Sequence, residues 1–516
     1  MENVTALGRI QCQLQVVTPI HIGCDEVYEP TGFVVDEEQE RLIVFDPTGF
    51  FEQLDQADRE RFSAICRKGT IASILEVYKF FRNRAVEGRM VKLCRGFTEH
   101  YSQVLSLTPQ EAKMQLNRFE IRRTAFSPVD NRPYIPGSAI KGALRTGYLN
   151  ALALKGQDYS GSLRQGKEKN KRWDDRHKVL ENKLLALDRS QPKDRISKDP
   201  FRMVKVSDFM PVGKVETRII YAVNWKKSPS GGEGRGPYQM LEVITPGTRF
   251  VGEIKVDMPQ SKDAVSTALS LNELTKGCRL FFQDEKSRED RELQAIGCKS
   301  VEQADEDGNM PFRVGQHSGA ECVTIEGYRE IWIKGKTKGR SLDHATTLWL
   351  ASELGKPKNP DFLTPFGWSV LEDLSPEGIK SLMEEERSFR IDRDRSSLER
   401  AEAARARLEK EKEEEERLQR LMAEKEAEKA AEEKRIAELE AMSPGQRAIA
   451  ELEAGDAPEN RVIEIYNTLD GLSSEDKMSL AKALKIYWQA SGKWMKKNCS
   501  KKQWIKVQKV KAILGE

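Results

Sequence analysis

Residues 134–152 read YIPGSAIKGALRTGYLNAL. The pair Pro136-Gly137 breaks the preceding chain, and Ser138 is placed to cap a helix. Ile140, Leu144 and Tyr148 recur every fourth residue and Ala151 follows, which predicts one buried helical face. Lys141 and Arg145, four apart, then share a neighbouring face. Like charges at that spacing cost a few tenths of a kcal/mol, and a helix N-terminus already carries about +0.5 charge. A bound phosphate would resolve the conflict. Unpaired N–H groups would face it, Gly137 and Gly142 would let it approach, and the two cations would be its counter-charges. The alternative is two solvated cations on an exposed helix, which leaves Gly142 unexplained, since glycine in a helix costs about 1 kcal/mol relative to alanine.

Around this helix the pattern alternates between strand and helix. Ile10, Cys12, Leu14 and Val16 alternate as one face of a strand that exits through TPIHIG. RLIVFD (41–46) reads as a second strand, with Asp46-Pro47 starting a helix. Residues 59–86 are helical in pattern and RFEIRRTAF (118–126) alternates again. Residues 155–200 dissolve into polar sequence except for a helical piece around Val179–Leu187, and read as an insertion or loop. A second strand-rich region follows: 201–209, 215–225 and 238–256, with SPSGGEGRGP (228–237) as a flexible hairpin tip. Its glycines lack the following helix that a phosphate loop needs. Residues 260–298 are helical, FRVGQHSGAECVTI (312–325) places a glycine-rich loop before a strand, and TPFGWSVLEDL (364–374) closes the region. This order predicts an α+β fold, sheet against helices.

From about 383 the composition turns to Ala, Glu, Lys, Arg and Leu. Leu408, Leu418, Leu421, Ile436 and Leu439 keep no regular heptad, so a solvated single helix held by Glu–Lys and Glu–Arg pairs is expected over 383–442. Ser443-Pro444 then starts a small helical domain ending in a basic, tryptophan-containing stretch. Between 477 and 514 there are lysines but no acidic residue, interleaved with Trp488, Trp494 and Trp504. A helical core accounts for the tryptophans but not for the unbalanced charge. Lys496, Lys497, Lys501, Lys502 and Trp504 are the candidate nucleic-acid contacts, in a module held at a distance by the charged helix.

The whole chain of 516 residues has a formal net charge of +3, so any nucleic-acid surface is a local patch. Its start lacks the features of a signal peptide, and no apolar run reaches the length of a membrane span. Eight cysteines without a CxxC pair fit reduced thiols in a cytoplasmic protein. His21-x-x-Cys24 has no second half with metal-site spacing, so neither metal nor cofactor is expected. The motifs GxSxG, HExxH and GxxxxGK[ST] are absent. Of five scattered histidines, His21 beside a glycine turn is the best candidate for a general base, against a structural role in a loop.

Five stretches together resemble a known family. YIPGSAIKGALRT is similar to the IPGSSIKGAIR signature of RAMP proteins, the RNA-binding subunits of CRISPR–Cas effector complexes. VTPIHIG (17–23), VITPGTRFVGEI (243–254), FRVGQHSGAE (312–321) and PFGWSVLE (365–372) resemble its other signatures, in the family's order. The combination is most similar to the subunits that cap type III-A Csm complexes at the 3′ end of the guide RNA (crRNA). The resemblance implies tandem ferredoxin-like (RRM-type) domains at 1–154 and 201–380, with the segment after 383 outside the family pattern. It also implies crRNA binding, docking on a neighbouring RAMP backbone subunit, and a part in crRNA maturation through host nucleases. The RNA contacts it points to are Gly137, Ser138, Lys141, Gly142, Arg145, His21 and the loop residues Gly315, Ser318 and Gly319. A RAMP endoribonuclease with a histidine base is the competing reading, and a scaffold without RNA contact a third.

Overall fold

A computed structural model describes residues 8–82, 84, 86–116, 119–160, 163, 174–187, 196–228, 236–261, 263–301, 309–333, 339–455 and 457–516. The glycine tip at 229–235 and most of the polar segment between 161 and 195 lie outside them, apart from the helix Asp174–Leu184. The chain divides into two compact units, Met1–Asp394 and Arg395–Glu516.

The first unit is a mixed α+β structure with two main sheets. In one, the strands stand in the order Met310–Arg313, Trp368–Asp373, Arg9–Val16, Arg249–Val256 and Val204–Val206, with Met210–Val212 also on Arg249–Val256. All neighbours are antiparallel. Along the chain this sheet and its two helices run strand (9–16), helix (Gly137–Lys155), three strands (204–206, 210–212 and 249–256), helix (Leu271–Ala295) and two strands (310–313 and 368–373). The expected face of the first strand is the buried one: Ile10, Cys12, Leu14 and Val16 share a core with Ile140, Leu144, Tyr148, Phe281 and Phe282. The two helices touch at their glycines. A Cβ on Gly147 would lie 2.6 Å from the Cα of Cys278, and one on Gly277 would lie 3.0 Å from the Cβ of Ala151.

The second sheet is built around Thr217–Lys226, flanked by Gln239–Ile244, Arg89–Leu93 and Thr347–Ser352. Beyond these lie Ile121–Thr124, Gly23–Val27, Arg41–Val44, Phe33–Asp36 and Thr364–Pro365. Helices Ile71–Phe81 and Phe97–Leu105 contribute Leu75, Tyr78, Phe97 and Tyr101 to its core. The sheets therefore do not follow a division between 154 and 201: each takes strands from both sides of it. Alternation marks a strand but not its partner, and Arg9–Val16 pairs with the distant Arg249–Val256 and Trp368–Asp373.

Other boundaries moved as well. Residues 59–86 hold two helices, Gln56–Arg67 and Ile71–Phe81, separated where Gly69 turns left-handed and Thr70 caps the second. The strand near the glycine-rich loop precedes it, at Met310–Arg313, and the residues after it form a 3₁₀ turn, Glu321–Val323.

The long helix runs from Pro376 to Ala441, and Leu418, Leu421 and Ile436 on it are exposed. In the second unit Ser443 and Gln446 form the capping box of helix Pro444–Glu453. Helices Glu459–Thr468, Ser474–Ala490 and Lys501–Leu514 complete a core that holds Leu480, Leu484, Trp488, Trp494, Val507 and Val510.

Candidate nucleic-acid interface

The cap of the helix of the IPGS stretch lies two residues before Ser138. Pro136 is its N-cap, its carbonyl accepts from Ala139 N–H at 2.9 Å, and Ser138 is an exposed first-turn residue that makes no cap bond. The orphan N–H of Gly137 donates instead to the Asp208 carboxylate at 2.8 Å. An anion does occupy this positive helix end, and the chain supplies it. Gly137 has to be glycine: a Cβ there would lie 2.5 Å from the carbonyl oxygen of Val206.

The two cations also have partners within the chain. Arg145 pairs with Asp199 at 3.0 Å and Glu181 at 3.4 Å, and its guanidinium lies 4.9 Å from the centre of the Phe201 ring. Burial disfavours its charge, but these carboxylates outweigh that and raise its pKa. Lys141 donates to the Val204 carbonyl at 2.9 Å. Burial, then the cation of Lys205, lowers its pKa. The like-charge pair is thus resolved by bracing the helix against Glu181, Asp199 and Val204. A Cβ on Gly142 would meet nothing within 4 Å, so packing does not require this glycine. What remains open to a ligand is the face of Ser138, Lys141 and Gly142.

Four of the other family-like stretches meet at the exit of the first strand. Val17 and Thr18 N–H both donate to the Trp368 carbonyl, and Trp368 N–H returns a bond to the Thr18 hydroxyl at 2.8 Å. Gly367 N–H donates to the Pro19 carbonyl, Ile20 and Ile244 exchange backbone bonds, and Gly247 N–H donates to Val16. Gln316 N–H donates to the His21 carbonyl at 2.9 Å. In the glycine-rich loop Gly315, His317 and Gly319 have φ of 92°, 64° and 82°. A Cβ on Gly315 would sit 2.7 Å from the His21 carbonyl oxygen. Ser318 is buried and closes the loop by donating to Gly315 O at 2.7 Å. The loop residues thus shape the turn, and Gln316 is its exposed side chain.

His21 is only 1% exposed, and its Nδ1–H donates to the Glu242 carbonyl at 2.7 Å. Burial lowers its pKa, and Arg122 adds to this. It lines a pocket of about 170 Å³ with Arg122, Arg123, Glu26, Glu120 and Gln316, a rim of mixed charge. His317 packs against Trp349 and Phe366, and burial, then His21 and Arg122, pushes it down to about 4. Among the described residues no group of three or more His, Cys, Asp or Glu side chains could hold a metal, and all eight cysteines are free.

Sequence reasoning missed what holds this loop. Glu285, Glu289 and Glu292 line one side of the helix Leu271–Ala295 and meet Arg313, Arg329 and Arg288. Arg313 bonds Glu289 at 2.8 Å and the Phe366 carbonyl at 2.9 Å, and Trp368 Nε1–H donates to Glu289 at 2.6 Å. At the far end of the loop burial would raise the Glu321 carboxyl, but Lys227 and the Ala345 N–H hold it down to about 2. Little in the sequence signalled it: residues 284–292 are charged at eight of nine positions and read as a solvated run, in which Glu285, Glu289 and Glu292 do not stand out.

In the second unit Lys496, Lys497 and Trp504 line one cleft, while Lys501 and Lys502 start the helix that carries Trp504. The stretch is less unbalanced in space than in sequence, because Lys485, Lys493 and Lys509 pair with Glu516, Glu459 and Asp470 from outside it.

No helix among the described residues is long and apolar enough to cross a membrane. Over 222 residues, 42% of its length, the chain is 26% identical to the CRISPR system Cms protein Csm5 of Methanocaldococcus jannaschii, of which the match covers 46%. It thus spans a little under half of that relative. It resembles a chain of a cryo-EM Csm–crRNA–target RNA ternary complex of a type III-A system (18% identity, TM-score 0.46, 70% of this chain and 100% of that one). It also resembles the crystal structure of T. onnurineus Csm5 (18% identity, TM-score 0.39, 69% and 99%). The last recognised signature ends at residue 372, and the family match extends past it and past residue 383. Matched over residues 13–487, the chain belongs to the RAMP superfamily.

Proposed function

We propose that this protein is a non-catalytic RNA-binding subunit of a cytoplasmic type III-A CRISPR–Cas (Csm) effector complex, seated at the 3′ end of the crRNA and docked on a neighbouring RAMP backbone subunit. The observation that carries the reading is the superfamily match from 13 to 487, together with similarity to a Csm5 protein over 222 residues. The order 368–373, 9–16, 249–256, 204–206 within the six-stranded first sheet, with its two helices, supports reading it as a ferredoxin-like domain, and the second sheet is read as its tandem partner. In this reading RNA follows the exposed face of Ser138, Lys141 and Gly142 and the glycine-rich loop at Gly315–Gly319. Arg145 serves that face by bracing it through Asp199 and Glu181. Burial of His21 and its bond to Glu242 support a structural histidine rather than a base for a ribose hydroxyl. Purified protein incubated with repeat RNA in EDTA tests this: binding without cleavage is expected. Site-specific, EDTA-resistant cleavage that His21→Asn abolishes without unfolding the protein would overturn it in favour of the endoribonuclease.

A further inference from the structure

The C-terminal module carries a cleft that the reading above does not use. It has a volume of about 660 Å³ and is lined by Lys485, Trp494, Lys496, Lys497, Trp504 and Lys511. Trp494 is 9% exposed and belongs to the core with Trp488, Val507 and Val510, so one wall is rigid. Trp504 packs against that core while staying half-buried. The Lys511 ammonium stands 5.2 Å from the centre of the Trp494 ring and 5.9 Å from that of Trp504. Lys485, also near Trp494, is neutralised by Glu516 on the cleft wall.

The rim is different. Lys496, Lys497, Lys501 and Lys502 are exposed, and none forms an ion pair among the described residues, whereas Lys477, Lys485, Lys493 and Lys509 do. Lys501 and Lys502 also open a helix whose first turn has no acidic residue. The dipole there is already positive, so stability alone disfavours them. Protein-binding surfaces are depleted in lysine at their centre and favour arginine; this stretch has no arginine. Lysine point charges around indole rings are instead what a single strand needs, with phosphates on the ammonium groups and unstacked bases on the aromatic surface.

We propose that this cleft binds single-stranded nucleic acid, without base specificity, through Lys496, Lys497, Lys501 and Lys502 and the indole of Trp504. The inference stands on the cleft's own geometry and not on the Csm assignment.

The test uses the full chain with fluorescein-labelled twelve-nucleotide oligo(U) and oligo(dT), titrated at several salt concentrations. A parallel arm maps photocrosslinks from 4-thiouridine in the oligo(U). Crosslinked peptides are expected within 485–511. Replacing all four lysines by alanine should weaken binding at least tenfold and flatten the salt slope by about two to three, at roughly 0.7 per lost phosphate contact. Lysine→arginine at the same positions should restore both, and Trp504→Phe should weaken binding severalfold. The ratio of the oligo(U) and oligo(dT) affinities tells whether RNA or DNA is preferred. The proposal is overturned if neither oligonucleotide binds, if crosslinks fall only within residues 8–394, or if the quadruple alanine variant keeps its affinity and salt slope. Incorporation of the quadruple variant into a crRNA complex, measured separately, reports on the Csm assignment alone.

Discussion

Two glycines five residues apart on the helix Gly137–Lys155 should respond to alanine with opposite signs. At Gly142 a Cβ enters open space. Gly142→Ala should therefore gain the helix-propensity difference, about 0.5–1 kcal/mol. At Gly147 the same Cβ would lie 2.6 Å from the Cα of Cys278 and 3.3 Å from its backbone N, so the helix Leu271–Ala295 has to move. Overpacking of this kind costs about 1–3 kcal/mol. Set against the same propensity gain, Gly147→Ala should lose about 1–2 kcal/mol. Because the chain has two compact units, a single global midpoint would mix them. Hydrogen exchange of the amides in 140–155 reads the local opening free energy directly. Slower exchange in Gly142→Ala and faster exchange in Gly147→Ala are expected. Equal shifts of the same sign would refute the claim that one glycine serves packing and the other does not. If Gly142 serves a ligand, the stabilised Gly142→Ala protein should bind RNA more weakly despite its firmer helix.

The buried network under the glycine-rich loop should be intolerant of half-removal. Arg313→Met strands Glu289 beside Trp368 and should lower the opening free energy read by hydrogen exchange of the amides in 310–313 by about 3–5 kcal/mol, with Arg313→Met/Glu289→Leu recovering much of it; a single variant as protected as wild type would contradict the pairing. Acid should weaken the loop through His317, pushed down to about 4 in the fold against about 6.5 in an unfolded chain. The unfolded state takes the proton first, so this contribution is complete above about pH 6.5 and lost as pH falls towards 4, by up to about 3 kcal/mol. His317→Asn, which tolerates the left-handed backbone, should remove that part of the pH dependence; an unchanged wild-type-minus-variant difference between pH 4 and 7 would reject it.

Periodicity was a reliable guide wherever one face is buried and the other is not. It located Arg9–Val16, the stripe of Ile140, Leu144 and Tyr148, and the capping of helices by Asp46 and Ser443. It was silent on pairing. Nothing local to residues 9–16 says that their neighbours are 249–256 and 368–373, so the interleaving of the two sheets was illegible. The surroundings of the candidate residues were not legible. Lys141 and Arg145 looked unpartnered because Val204, Asp199 and Glu181 are distant in sequence, and Asp208 took the capping place assigned to Ser138. The lysine excess in 477–514 was diluted for the same reason, by Glu459 and Asp470.

The central claim is that this RAMP protein meets the 3′ end of a guide RNA. A Csm complex assembled with crRNA carrying 4-thiouridine within its last few 3′ nucleotides tests it directly. The account predicts crosslinks to this chain, at peptides containing Ser138–Gly142 or Gly315–Gly319. Crosslinks to other subunits only, in complexes that contain this chain, would contradict it.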